Sequence, residues 1–337
     1  MMLYYREATD GQILEEGITE AGCVSSFIAA GTAHVQHGVP MIPMFLFYSM
    51  FGFQRVGDLL WAAGDSRARG FLIGATSGRT TLSGEGLQHQ DGHSMLAAAA
   101  HPTVRPYDPG TAYEVVVLTL DGLRRMYAEG KAEMVYLTIQ NENHAMPAMP
   151  DDAAEGIRRG LYRFGSREAG DGETWVELLS SGSILFEAVR AQEILAERFD
   201  VSSNVWSATS WTLLARDAEE AGRWSRLHPD ASPRESYLRT TLGKPKGPVV
   251  AASDWVRAVP GQIRPYLPAE TTILGTDGFG RSDSRADLRR FFEVDAEHMV
   301  AAALHQLVRR GRFDGDRLAG ILEELGIDAD APAPWTV

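Results

Sequence analysis

Apolar residues in this chain gather into short unbroken runs punctuated by glycine, and the runs alternate with stretches of helical spacing. In the first half, Met44-Phe45-Leu46-Phe47-Tyr48, Phe71–Thr76 and Met134–Ile139 have the length and continuity of buried strands. Residues 19–34 (TEAGCVSSFIAAGTAH) predict a helix capped by Thr19, with small side chains for close packing. A second helix is predicted over residues 112–128, and Ser77 to Ser94 read as a glycine-rich loop. Strands alternating with helices in this way predict an open, mostly parallel sheet with helices on both faces.

The stretch NENHAMPAMPD (Asn141–Asp151) holds two prolines and no strand or helix pattern, which predicts a domain boundary there. Beyond it the alternation resumes. Strands are expected over Thr174–Leu179, Asn204–Ala208, Gly247–Ala252 and Thr271–Leu274. Helices are expected over residues 184–198, 211–224, Ala296–Arg309 and Asp316–Leu325. The fold class is therefore α/β, built as two open, mostly parallel-sheet domains, residues 1–150 and 151–337. About the last dozen residues are rich in proline and aspartate and are expected to be loose.

Composition narrows the function classes. The 337 residues carry a net charge of −13 with no basic run, which argues against a nucleic-acid partner. A single cysteine, Cys23, cannot form an internal disulfide and is expected to be a small buried apolar residue. The opening Met1–Arg6 has no long apolar stretch, and no run reaches the roughly 18 apolar residues of a membrane helix. The expectation is a cytoplasmic protein with no membrane partner.

Several residues suggest chemistry. Gly170-Asp171-Gly172 resembles the start of a diphosphate–magnesium motif, but its polar surroundings predict a turn leading into a strand. Asp277-Gly278-Phe279-Gly280 lacks the glycine-rich nucleotide loop and lysine strand of a kinase and also reads as a turn. Glu85, His89 and His93 are spaced four apart, as metal ligands on one helical face would be, yet the glycines around them oppose a helix. An active-site loop, in which titratable groups act as acids and bases, is the better reading. Glu20 enters an apolar helix either as a solvated first-turn glutamate favoured by the helix dipole or as a buried functional acid.

Four long strings resolve part of this. QILEEGITEAG (Gln12–Gly22), MIPMFLFYSMFGFQRVGDLLWAAGD (Met41–Asp65), RGFLIGATSGRTTLSGEGLQHQDGHS (Arg69–Ser94) and LGTDGFGRSDSRADLRRFFEVD (Leu274–Asp295) resemble the homodimeric pyruvate dehydrogenase decarboxylating component, of the transketolase superfamily. NENHAMPAMP (Asn141–Pro150) fits the same family, and the resemblance runs from Tyr4 to about Asp328. It covers the carboxy-terminal part of that polypeptide only. The resemblance implies an amino-terminally truncated pyrimidine-binding domain followed by a transketolase-like carboxy-terminal domain. The family's diphosphate-binding domain, with its magnesium motif, is not covered, and Gly170 falls in the wrong domain to supply it.

The same resemblance implies thiamine diphosphate as cofactor, with Mg2+ bound mainly by a partner chain. Glu20 matches the glutamate that hydrogen-bonds an aminopyrimidine nitrogen and so activates the thiazolium carbon as a nucleophile. Phe51 matches the aromatic stacked on the pyrimidine, and Ile18 lies in the backbone segment approaching that ring. Tyr48, Glu85 and His89 match positions lining the substrate side, where histidine orients a 2-oxoacid carboxylate or shuttles protons. Two positions depart from the family: His144-Ala145 stands where Tyr-His is common, and Gln90 replaces an acidic residue. The implied protein is one subunit of a split 2-oxoacid dehydrogenase. Its separately encoded diphosphate-binding partner would complete a heterotetramer, a dimer of heterodimers. It would cleave a ketone donor and pass a two-carbon acyl unit to a thiol of a lipoyl domain or acyl carrier protein. The alternatives are transketolase-like transfer of a hydroxyacetyl unit from a ketose phosphate, a non-catalytic assembly or regulatory fragment, and a piece of a longer enzyme.

Overall fold

A computed structural model describes residues 6–83, 85–268 and 271–337. The opening residues 1–5, part of the stretch read above as lacking a secretory segment, lie outside the described residues, as does Gly84 of the glycine-rich loop. The first half runs α1 (Glu20–Gln36), β1 (Met44–Tyr48), α2 (Phe53–Asp65), β2 (Gly70–Ala75), α3 (Ser94–Ala100), β3 (Val104–Tyr107), α4 (Ala112–Leu123) and β4 (Met134–Ile139). The second runs α5 (Ala153–Arg159), β5 (Tyr162–Arg167), β6 (Trp175–Ser180), α6 (Ile184–Phe199), β7 (Ser202–Ser207), α7 (Trp211–Leu227), α8 (Tyr237–Leu242) and β8 (Val249–Ala252). It closes with α9 (Ala258–Gly261), β9 (Thr271–Leu274), α10 (Arg285–Phe291), α11 (Ala296–Arg309) and α12 (Leu318–Glu324). Among the described residues no helix is long and apolar enough to cross a membrane.

Each half is built on one sheet. The first has strand order β1-β2-β4-β3 and is parallel throughout. The second has order β5-β7-β6-β8-β9, parallel except for β5, which runs antiparallel to β7. The expected α/β class with mostly parallel sheets is what the chain forms. Local chemistry explains the boundaries. Thr19 accepts from the Gly22 amide and starts α1; Thr111 and Glu114 form a reciprocal capping box that starts α4.

Three expectations need correction. The run Met44–Tyr48 is a strand, but it is buried on one face only: Met44, Leu46 and Tyr48 are exposed while Phe45 and Phe47 are covered. The cause is its place at the sheet edge, where no described helix lies over the second face. The helix predicted over 112–128 is α-helical only to Leu123 and continues as a π-turn, Arg124–Ala128. The tail is exposed over residues 328–332, as expected, but is docked near its end, where Pro334 is buried and the Arg257 guanidinium carbon lies 3.9 Å from the Trp335 ring centroid.

The two sheets share one apolar core, in which Leu72 and Tyr136 of the first join Leu179, Trp206 and Trp255 of the second. Three fully buried carboxylates cross the same junction. Asp108, after β3, accepts from Ser181 Oγ (2.6 Å) and Trp255 Nε1 (2.8 Å). Glu114, in α4, accepts from Tyr162 Oη and Ser207 Oγ, both at 2.6 Å, and from the Gly110 and Thr111 amides. Asp254, after β8, takes both the amide and the hydroxyl of Thr80 and of Thr81. Burial pushes all three carboxyls above their ordinary values, against the pull of these hydrogen bonds.

Glu114→Ala should cost about 3 kcal/mol, because it strands four buried donors; a urea midpoint indistinguishable from wild type would contradict the assignment. Raised carboxyl pKa values also set the sign of a pH effect. The neutral acids' contribution is complete below the ordinary values of 3.8 and 4.5 and is lost as pH rises through the raised ones. Asp108→Asn should therefore show a flatter decline in unfolding free energy from acid to neutral pH than wild type.

Candidate functional site at the carboxyl ends of the first sheet

Ligands of open parallel sheets bind beyond the carboxyl ends of the strands. Here β1 ends at Tyr48, a 3-10 turn over Ser49–Phe51 follows, and α2 starts at Phe53. Gly52 lets this turn close on itself, since a Cβ there would fall 2.0 Å from the Phe47 ring. The turn brings Tyr48, Phe51 and Arg55 together. Beside it, α1 begins with Glu20, capped by Thr19, so the carboxylate sits at the positive end of that helix. A cleft of about 360 Å³ lies between them, lined among others by Ile18, Glu20, Cys23, Phe47, Tyr48 and Ala75.

Glu20 is a first-turn glutamate of α1 that is largely covered and ion-paired. Its side chain is one-fifth exposed, and its Oε1 accepts from Arg55 Nη1 at 2.8 Å. The Arg55 guanidinium in turn lies over the Phe51 ring, 3.9 Å from the centroid. Carboxylate and aromatic face are thus held in one cluster. Ile18 reaches the cleft wall, though its side chain is almost wholly exposed. Cys23 also lines the cleft and is half-buried, which corrects the expectation of a buried apolar residue.

The glycine-rich loop supplies the other side. His89 stacks on Tyr48 with ring centroids 5.0 Å apart, and it meets Phe51 edge-on at 5.3 Å. Glu85 Oε2 stands 3.5 Å from His89 Nδ1. Of the predicted site residues, Glu20, Tyr48, Phe51, Glu85 and His89 therefore form one connected neighbourhood. His93 points elsewhere and bonds Gln54 through Nε2 at 2.8 Å. Among the described residues no group of three or more His, Cys, Asp or Glu could hold a metal ion, so the zinc reading of Glu85, His89 and His93 fails. Gly170-Asp171-Gly172 is a turn, with both glycines at positive φ.

A 3-10 turn over Leu87–His89 and main-chain bonds at Ser77, Arg79 and Gly92 fix parts of the loop, and side chains hold the rest. Asp91 accepts from Ser49 Oγ at 2.5 Å and from the His93 and Ser94 amides, tying the loop to the end of β1. Asp254 clamps Thr80 and Thr81, and Gly78 (φ +95°) leaves room for it, since a Cβ would come 2.2 Å from Asp254 Oδ2. Gln90, the departure from the family's acidic residue, is buried and structural: its amide donates to Leu82 O and accepts from the Arg281 amide. Arg79 donates to the Thr276 and Gly278 carbonyls; burial pulls its guanidinium down, while Asp91, Asp254 and Asp277 pull it up. His144 lies in a different cluster, stacked on Phe186 at 3.9 Å and 3.4 Å from Glu142. Sequence reading missed Arg55, Arg79 and Asp254; only Arg55 left a trace, four residues after Phe51 at helical spacing.

Comparison with known proteins agrees with this architecture. Residues 1–198 match the family described as the pyruvate dehydrogenase E1 component middle domain, and residues 160–295 match the transketolase-like TK C-terminal domain. The chain is 50% identical to the pyruvate dehydrogenase E1 component of Pseudomonas aeruginosa over 334 residues, covering 99% of this chain and 38% of the relative. It is 51% identical to that of Escherichia coli K12 over 333 residues, covering 98% of this chain and 37% of the relative. The chain thus spans under two-fifths of these relatives' length, and that portion is their carboxy-terminal part. Transketolase from Leishmania mexicana shares the fold at a TM-score of 0.57 and 20% identity, over 80% of this chain and 34% of its own. A structure titled split gene transketolase, inactive beta4 tetramer, superposes at 0.58 and 15% identity, over 87% of this chain and 83% of its own.

Arg79→Met should leave the buried Thr276 carbonyl unpaired and remove the bond to Gly278 O, costing about 2 kcal/mol and speeding amide exchange in residues 77–94. Unchanged exchange there, measured by mass spectrometry, would show that Arg79 does not hold the loop.

Proposed function

The chain belongs to the pyruvate dehydrogenase E1 component middle-domain family, and from that premise we propose that it is the pyrimidine-binding and carboxy-terminal half of a thiamine-diphosphate-dependent enzyme. The observation that carries this is the Glu20–Phe51 cluster, a helix-start carboxylate beside an aromatic face at the carboxyl ends of β1 and β2. Those residues fit the aminopyrimidine end of the cofactor. The diphosphate end is assigned to the part of the relatives outside the match, since the matched portion is their carboxy-terminal part. The division into residues 1–150 and 151–337 follows the same reading, with the irregular stretch after β4 as the link.

When bound, thiamine diphosphate would supply a nucleophilic carbon for attack on a donor ketone. Glu20, paired with Arg55 through Oε1, would hold a pyrimidine ring nitrogen, and its largely covered setting would strengthen that hydrogen bond. Phe51 would provide a stacking surface and Ile18 would back the same ring. On the substrate side, His89 is set by its stack on Tyr48 and by Glu85, placed to orient the donor's carboxylate and to move a proton during transfer. The donor is a 2-oxoacid of the pyruvate type, and the two-carbon acyl unit passes to a thiol of a lipoyl domain or acyl carrier protein. A separate polypeptide supplies the diphosphate and Mg2+ site, giving a dimer of heterodimers that works in the cytoplasm.

Calorimetric titration of thiamine diphosphate with Mg2+ tests the divided site. The lone chain should show no saturable binding, and a mixture with the diphosphate-binding polypeptide should; tight binding by the lone chain would overturn the division. In the mixture, Glu20→Ala should lower turnover by on the order of 10²-fold or more. Retained turnover would remove Glu20 from the mechanism.

A further inference from the structure

The stretch between β9 and α10 forms no helix or strand, yet the glycine-rich loop leans on it at several points. The Thr276 and Gly278 carbonyls both accept from Arg79 Nη1. The Arg281 amide donates to Gln90 Oε1 at 2.6 Å, and Ser282 Oγ donates to Glu85 O at 3.4 Å. Gly280 packs so tightly that a Cβ would fall 2.6 Å from Leu87 O and 2.7 Å from Gln90 Oε1. Leu87 and Gln90 flank His89 in the chain, so a shift of this turn is passed on to Glu85 and His89.

The turn has little of its own to keep it in place. Phe279, its one large apolar side chain, is 83% exposed and gives it no foothold in the core. On the inner side the Thr276 amide donates to Trp255 O, and Asp277 Oδ2 accepts from the Arg257 amide at 2.9 Å and from Arg257 Nε at 3.0 Å. The amide bonds belong to the main chain, but the bond from Nε lasts only while the Arg257 side chain keeps its rotamer. The outer side is closed by Pro334 and Trp335. Gly278 lies at φ +114°, where a Cβ would come 2.8 Å from Pro334 O, so only glycine allows this approach. Trp335 lies across the Arg257 guanidinium, its ring centroid 3.9 Å from the guanidinium carbon. Arg257 is thus gripped on one edge by Asp277 and on its face by an indole.

We propose that Trp335 is a positioning residue for the candidate site: seated on Arg257 beside the Pro334–Gly278 contact, it braces the Asp277–Gly280 turn and through it sets Glu85 and His89. The brace stands on this geometry alone, whereas its bearing on catalysis rests on the thiamine-dependent reading above. Magnitude separates local from global effects. A partly exposed cation–π pair is small beside the unfolding free energy of the whole chain, yet it shifts a local opening equilibrium by about two- to fivefold. Trp335 is 49% exposed, so removing its ring leaves no cavity in the core.

Amide exchange of the lone chain without cofactor, followed by mass spectrometry, reads the brace directly. Trp335→Ala should quicken exchange about two- to fivefold in residues 276–282 and, across the domain junction, in residues 85–90, at an unchanged melting temperature. Trp335→Phe keeps a ring face for the guanidinium and should leave both regions close to wild type. Faster exchange confined to residues 255–258 and 333–337 would mean a docked segment with no hold on the loop, and would overturn the proposal. A phenylalanine variant as fast as the alanine one would overturn it too. In the mixture with the diphosphate-binding polypeptide, Trp335→Ala should raise KM for pyruvate by about two- to fivefold with kcat changed less, because Glu85 and His89 are displaced but still present. An unchanged KM in a mixture that turns over pyruvate would sever the brace from the site. A wild-type mixture with no turnover counts against the thiamine-dependent reading, and the exchange result still decides the brace.

Discussion

Three carboxylates taken out of water at the junction of the two sheets fix the geometry of everything else. Desolvating a carboxyl is costly unless each oxygen is satisfied. Asp108, Glu114 and Asp254 meet that demand in part with donors from the opposite half, serines, threonines, a tyrosine and a tryptophan, and in part from their own. Shifting one half by even an ångström would strand several of these groups at once. The two halves are therefore registered by polar chemistry inside an apolar shared core. Shape alone would tolerate small slides; this arrangement does not.

That registration reaches the proposed site through one clamp. The glycine-rich loop begins where β2 ends, yet its first residues are held by Asp254 and by Arg79 bonded to the segment after β9. Glu85 and His89 are thus positioned jointly by both halves, whereas Glu20, Tyr48 and Phe51 belong wholly to the first. A site assembled this way has a rigid wall and a wall that depends on the junction.

Much of the fold was legible because burial was strong and local. Met134–Ile139 is an unbroken apolar run in the middle of a parallel sheet, and Ala296–Arg309 combines a cap at Asp295 with a clear apolar stripe. The elements left unread carry contradictory signals. Strand β3 contains Pro106, tolerated because β3 is an edge; β5 carries Gly165 at a register shift; α2 holds Gly57 and Gly64 and has non-helical backbone at Val56. At the site, the resemblance named the residues that now stand together. It was silent on Arg55, Arg79 and Asp254, whose partners lie up to about 200 positions away. Long-range hydrogen bonds leave no periodicity in a sequence, so no local pattern could have exposed them.

The bare edge has a bearing on how the chain must be made. Natural edge strands usually carry a lysine, a proline or a bulge that discourages pairing with stray neighbours. Met44–Tyr48 carries none of these, and its outward side chains are apolar. A newly synthesised copy released by itself would present a template for edge-to-edge aggregation. Covering that edge is then a condition of solubility, separate from any role of the cleft beside it.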